Sequence, residues 1–427
     1  MRIALINHYA GSPTRGMEYR PYFLAREWVR QGHDVTIVAA SQSHVRQHNP
    51  HMTHLINQEM VDGVRYLWLW TPGYKGNFAR AINIFWFVLE LLVLLPYLFA
   101  RRPPHAVIAS STYPLDNVPA WILARRTGAR LVYEVHDLWP LSPMELGGMS
   151  PWHPFILVMQ WAENLAYRVA DHVVSLLPAA LDHMVAHGLK PEKFTWLPNG
   201  ISPQDWLDEE DLPSPHLECL AQTRRAGRFI VGYTGAHGIA NALDVLLEAA
   251  ALMSTAPVTF ILVGDGKEKP LLEQRARAMG LTNVEFLPSI RRGMVPSLLR
   301  QMDILFIGLQ PQPLFRFGVS PNKLMDYMMA GKPIVQAIQA GNDPVREADC
   351  GISVEPGHPR QIAEAVRLLV SMHRDERERL GMNGLRYVLR HHDYRAIADR
   401  FLHLLQSPMT KSPSNQPIES LERFSRE

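Results

Sequence analysis

The chain has 427 residues, 47% of them apolar and 20% charged, with a net charge of +2 from 43 basic and 41 acidic side chains. That length accommodates two or three domains with cores of their own. The near-neutral balance argues against the large uniform field of a nucleic-acid binder. Two widely separated cysteines, Cys219 and Cys350, argue against a disulfide framework and fit a reducing cytoplasm.

The first residues, MRIALINHYA, read as a strand and lack the apolar core and small-residue cleavage site of a signal peptide. RIALINHY, a helix over 22–31 and HDVTIVAA predict a βαβ unit of a doubly wound sheet. Further strands are expected at VRYLWLW, AVIASS, RLVYEVH, HVVSLL and FTWLP, and the turn Pro198-Asn199-Gly200 closes a first domain over 1–200. Residues 201–228, polar and proline-containing, read as a linker. The alternation resumes with FIVGYTG, a helix over 241–252, VTFILVGDG, a helix over 270–279, VEFLP, ILFIGL and PIVQAI, giving a second domain over 229–390. A helix over 391–406 follows. Residues 407–427, rich in Ser, Pro and charge, predict a disordered tail. The fold class is α/β, with two doubly wound Rossmann-like domains and ligands expected at the carboxyl ends of their strands.

Ile82–Ala100 is almost wholly apolar, broken by Asn83, Glu90 and Pro96 and flanked by Arg80, Arg101 and Arg102. Trp86, Phe85, Phe87 and the arginines suit a helix lying in a membrane interface. A buried core helix is the alternative; a full crossing would split the first domain's sheet. His44, His48, His51 and His54 cluster along the chain. They lack Cys or paired carboxylates, and Pro50 breaks any helix, so no metal site is expected there.

The chemistry concentrates in Arg316–Val335, RFGVSPNKLMDYMMAGKPIV. Gly318, Val319 and Ser320 form an irregular loop, and Pro321 opens a helix whose first amides point at whatever lies in front of it. Lys323 stands beside that anion position, with Asn322. Asp326, one turn further, faces Asn322 and can accept hydrogen bonds from sugar hydroxyls. Between a strand and a helix, Gly232–Gly238 offers Gly235 and Gly238 for close approach to a diphosphate, with His237 and Asn241 as its polar groups. Gly264-Asp265-Gly266 ends another strand, either beside the ligand or as a tight turn. In the first domain His136 and Asp137 end the strand RLVYEVH, before Trp139. Catalytic groups and a structural histidine are both open readings there.

The run SPNKL-x-DYM-x-AGKP resembles the donor-binding motif of the retaining glycosyltransferases of family 4, which have the GT-B fold, two Rossmann-like domains facing across a cleft. It is most similar to the branch that builds bacterial surface polysaccharides, including N-acetyl-L-fucosaminyl transferases. The resemblance implies that Asp326 grips the nucleotide ribose, and that Gly318 replaces the acid that usually holds the donor sugar. The usual Arg and Lys near the diphosphate are missing from 232–241, leaving Lys323, helped by Arg316. It further implies a base seat at Val284–Ile290, a phosphate cover at Ala10–Gly16, and His136 against the donor sugar. The helix over 391–406 is expected to cross back onto the first domain. The implied reaction moves a sugar from a UDP-type donor to a polyprenyl-diphosphate-linked acceptor at the inner face of the plasma membrane, without metal or other cofactor and without nucleic acid. Two other readings stay open: a nucleotide-sugar 2-epimerase of the same fold, and a non-catalytic nucleotide-sugar-binding partner.

Overall fold

The computed structural model describes residues 1–207 and 209–406, so the tail expected over 407–427 lies outside the described residues. In the first half, β1 (Arg2–Ile6), β2 (Asp34–Ala40), β3 (Ile56–Val61), β4 (Val64–Leu69), β5 (Ala106–Ala109), β6 (Arg130–Val135), β7 (His172–Ser175) and β8 (Phe194–Trp196) form one sheet. Its order is β3-β4-β2-β1-β5-β6-β7-β8. All neighbours are parallel except β3 and β4. Runs such as IALI and AVIA are buried throughout, as strands covered by helices on both faces must be. Strand β3 went unread because INQEMV alternates between half-buried and exposed residues. It is joined to β4 by Asp62-Gly63, both at positive φ, the geometry of a two-residue hairpin.

The second half holds β9 (Phe229–Thr234), β10 (Val258–Val263), β11 (Val284–Leu287), β12 (Ile304–Gly308), β13 (Ile334–Ala337) and β14 (Gly351–Val354). They form an all-parallel sheet ordered β11-β10-β9-β12-β13-β14. The strand order reverses between β9 and β12, the place where open α/β sheets leave a ligand crevice.

The chain divides into two compact units, Met1–Leu197 with the chain from Ala398, and Pro198–Ile397. The expected linker over 201–228 is instead built into the second unit. It contains the helix Ser214–Arg225, and Trp206, Leu212 and Leu220 are buried with Ile230, Ile261 and Leu298. Three large apolar side chains spaced along a polar stretch suffice to anchor it. Within the last helix, Tyr394–Gln406, the residues from Ala398 onward pack on the first unit. Trp28 Nε1 donates to the Ala398 carbonyl at 3.1 Å, the Phe401 ring meets Trp28 edge-on, and Arg130 donates to the Leu404 carbonyl.

The apolar segment expected over 82–100 is a helix over Gly76–Leu98, and it is two-faced. Asn83, Ile84, Phe87, Val88, Leu91 and Leu95 are buried, with Phe87, Leu91 and Leu95 in the core between helix and sheet. Phe78, Phe85, Trp86, Leu89 and Val93 stay exposed, from 81% at Phe78 to 41% at Phe85 and Trp86. Phe87 is thus a core residue, not part of an outer face. Trp86 Nε1 donates to Glu90 at 3.1 Å, and burial pushes the Glu90 carboxyl up to about 7. By length and composition this helix could cross a membrane, but one face is spent on the protein core.

Candidate active site

In the second unit the helix Asn322–Met329 starts behind Pro321 with no side chain capping it, so its first amides lack intrahelical partners. The Tyr327 hydroxyl accepts from the Thr234 amide at 2.8 Å, which pins this helix to the end of β9. Lys323 consequently reaches back to the loop leaving β9. Its Nζ donates to the Tyr233 hydroxyl at 2.9 Å and to Asn241 Oδ1 at 2.7 Å, and lies 4.5 Å from the centre of the Tyr233 ring. Among the described residues it forms no ion pair. Burial without a counter-ion pushes the ammonium down to about 8. Gly235 has φ +139°, a backbone conformation that favours glycine, and a Cβ there would stand 3.1 Å from Lys323 Nζ.

His237 is fully buried, and neither ring nitrogen has a hydrogen-bond partner among the described residues. Burial, reinforced by the charges of Lys269 and Lys323, pushes it down to about 4, so it is neutral. Gly264, at φ +154°, faces the Gly235 carbonyl so closely that a Cβ would overlap it. Asp265 braces this turn. It accepts from the Ser289 amide at 3.2 Å and from Lys269 at 3.3 Å, and so ties the end of β10 to the segment after β11. Gly238, which opens the 3-10 turn carrying Asn241, has open space around it.

Asp326 does not face Asn322 alone. Both its oxygens are taken by Arg292, at 2.6 and 2.8 Å, with the carboxylate buried and the guanidinium half exposed. Sequence reasoning missed Arg292, which follows the expected base seat at 284–290. Gly318 has φ +101°, which makes glycine the natural residue where the related motif carries an acid. Val319 exchanges two hydrogen bonds with the Asn342 side chain, and Ser320 Oγ accepts from the Asn199 amide at 3.1 Å. These contacts set the loop in front of the helix. Arg316 donates to the Pro313 carbonyl and stacks on Phe317.

In the first unit the sheet reverses between β1 and β5, and Asn7 and His8 bond across to Ser110 and Ser111 there. His136 follows β6, one strand over, and is not a lone strand-end histidine. Its Nε2 lies 3.0 Å from Ser110 Oγ and 3.2 Å from Glu134 Oε2. Glu134 also pairs with Arg20 at 3.0 Å, both side chains fully buried. Burial opposes the Glu134 charge, but Arg20, His136 and Ser110 outweigh it and hold the carboxyl at about 2. That carboxylate in turn raises His136 above its ordinary value although burial works the other way. Asp137, next along, is exposed and makes no hydrogen bond among the described residues. The loop over 10–16 is closed by a Ser12–Gly16 bridge, and a Cβ at Gly11 would strike the Gly16 carbonyl.

The His44–His54 segment forms no ligand cluster among the described residues; His44 Nδ1 bonds the Tyr74 hydroxyl at 2.7 Å. Glu163, His183 and His187 do bring ligand atoms within 4.8 Å of one another. There Tyr167 and Gln160 already satisfy the Glu163 oxygens.

Residues 15–200 match a glycosyl transferase 4-like domain, and residues 228–372 match the glycosyl transferases group 1. A candidate colanic acid biosynthesis glycosyl transferase of Escherichia coli K12, WcaI, is 23% identical over 321 residues, 74% of this chain and 78% of that protein. The alpha-D-kanosaminyltransferase of Streptomyces kanamyceticus is 25% identical over 288 residues, 65% of this chain and 68% of that enzyme. Among solved structures, Anabaena HepE in complex with UDP-glucose superposes with a TM-score of 0.64 at 18% identity, covering 96% of this chain and all of that one. Sucrose-phosphate synthase of Thermosynechococcus elongatus gives 0.70 at 16% identity, covering 95% and 98%. With a glycosyl transferase 4-like domain in its first half, a glycosyl transferases group 1 domain in its second, and two Rossmann-like domains that match GT-B structures, the chain is a glycosyltransferase of the GT-B type.

Proposed function

We propose that the protein is a retaining glycosyltransferase that moves a sugar from a UDP-type donor to a lipid-linked acceptor in bacterial surface-polysaccharide synthesis, O-antigen, capsule or exopolysaccharide. The observation that carries this reading is Lys323, a buried ammonium without a counter-ion, beside an uncapped helix end and the glycines that follow β9. A diphosphate supplies the missing negative charge, and the charge that builds on it as the sugar leaves is stabilised where it appears. In the retaining scheme the anomeric bond to the diphosphate breaks, the acceptor hydroxyl bonds to the same face, and the departing diphosphate takes its proton. Asp326, shared with Arg292, is assigned to the ribose, and His136 to the donor sugar. The likeness to WcaI supports the polysaccharide setting, and HepE is a related fold seen with UDP and UDP-glucose. An N-acetylated or deoxy sugar, as in the N-acetyl-L-fucosaminyl branch, is the donor we favour.

The exposed side of helix Gly76–Leu98 supports a peripheral position on the inner face of the plasma membrane. Phe85, Trp86, Leu89 and Val93 would meet lipid there, and Arg101 and Arg102 follow its end. Purified protein, UDP-sugars and a polyprenyl-diphosphate-linked sugar should yield UDP and an extended lipid. Epimerised donor formed without acceptor would instead identify an epimerase, and donor binding without turnover a non-catalytic partner.

A further inference from the structure

Helix Pro154–Val169 of the first unit buries a stripe of Ile156, Met159, Ala162 and Ala166, and Glu163 lies on that same stripe. The Glu163 side chain is 1% exposed, and among the described residues no Lys or Arg pairs with it. A carboxylate withdrawn from water needs an ion pair or a metal ion to offset its lost hydration. What faces it is a pair of histidines. His183 and His187 stand one helical turn apart, on the short helix Leu181–Ala186 that follows β7 and at the residue ending it, with ring centres 4.3 Å apart. His183 Nε2 is 3.4 Å from Glu163 Oε1, and ligand atoms of all three side chains lie within 4.8 Å of one another. Ligand atoms on one zinc ion stand about 3.4 Å apart, so rotation of the two partly exposed rings closes the difference. The surrounding bonds suit an ion. Tyr167 donates to Glu163 Oε1 at 2.9 Å and Gln160 to Oε2 at 2.7 Å, which holds the carboxylate still while each oxygen keeps a second lone pair. His187 Nδ1 donates to the His183 carbonyl at 2.8 Å, the kind of backbone bond that orients metal-binding imidazoles. We propose that Glu163, His183 and His187 hold one divalent transition-metal ion of the zinc class, with water completing its shell on the exposed side. The ion places positive charge beside the buried carboxylate and pins helix Pro154–Val169 to the turn after β7. Its role is structural, and it stands or falls apart from the transferase reading.

The test is calorimetry with zinc chloride on the full chain, untagged, stripped with EDTA and dialysed. One zinc ion should bind per chain, and Co²⁺ in its place should show the visible absorption of a four- or five-coordinate ion. His183→Gln, His187→Gln and Glu163→Gln should each weaken zinc at least ten-fold. Tyr167→Phe keeps the buried ring, removes only the bond to the carboxylate and should weaken zinc less. His51→Gln, outside the cluster, should change nothing. Zinc should raise the Tm of the unaltered protein more than that of His187→Gln, whose partly exposed position lets the variant fold without metal. Absence of saturable zinc binding overturns the site and leaves a hydrogen-bonded histidine–glutamate pair. Zinc binding that survives both histidine variants also overturns it, since the ion then sits elsewhere. UDP affinity in EDTA should be the same in every variant, and its loss throughout would strike the donor reading and not this site.

Discussion

Lys323 has a charge state that a ligand should change measurably. Its pKa falls from 10.5 to about 8 because the ammonium is withdrawn from water with no carboxylate to meet it. Between those two values the unfolded chain binds more protons than the folded one, so stability rises with pH across that window. Below about pH 8 the whole penalty is present. A drop of this size corresponds to at most about 3 kcal/mol, and partial exposure of the side chain brings it to about 1–2 kcal/mol. A bound diphosphate supplies the absent negative charge and returns the pKa upward. At pH 8 the free protein holds Lys323 about half protonated, so UDP binding should take up about half a proton. Calorimetry in two buffers of different ionisation enthalpy at pH 8 reads this directly, UDP itself being fully ionised there. Lys323→Met should abolish the uptake, weaken UDP about ten-fold or more and lower kcat at least as much, without lowering Tm at pH 7. Equal binding enthalpies in both buffers with tight UDP binding, or proton uptake that survives Lys323→Met, would refute the placement of the diphosphate against this lysine.

Asp326→Ala should reduce UDP affinity ten-fold or more by removing a carboxylate partner worth about 1.5–3 kcal/mol, and a calorimetric Kd left unchanged would take Asp326 out of the nucleotide site. Glu134→Gln removes the carboxylate that meets the fully buried Arg20 and should cost about 3–5 kcal/mol in chemical denaturation. Because Glu134 is held at about 2 against 4.5 when unfolded, its contribution is complete above pH 4.5 and fades as pH falls towards 2; acid unfolding should flatten there in the variant. His136→Ala should leave UDP binding intact and lower transfer, and equal loss of both would make the histidine a fold residue. Trp86→Glu with Leu89→Glu, both exposed, should fold and release the protein from anionic vesicles. Raising salt should weaken that binding by screening Arg101 and Arg102, worth about 1 kcal/mol each at an anionic surface. Unaltered sedimentation with the vesicles would move any lipid contact off this helix.

The sequence by itself determined the alternation of apolar strands and helices in both halves, and with it two doubly wound sheets, because strands buried on both faces must be continuously apolar. It also located the loop after β9 and the helix behind Pro321, since glycines at positive φ and a proline at a helix start leave marks that do not depend on distant partners. Glu134 was within reach: it lies in β6 two residues before His136, and the extended chain puts both on one face. The tertiary structure alone decided the charges. Arg20 meets Glu134 across 114 positions, Arg292 takes Asp326 across 34, and Lys323 finds Tyr233 across 90. Such pairs depend on which strand ends the sheet order brings together, and no local pattern encodes that order. The same holds for the apolar helix Gly76–Leu98 and for the segment over 201–228. Hydrophobic side chains announce that something must be covered, and only packing settles which face the protein covers and which it leaves to another partner.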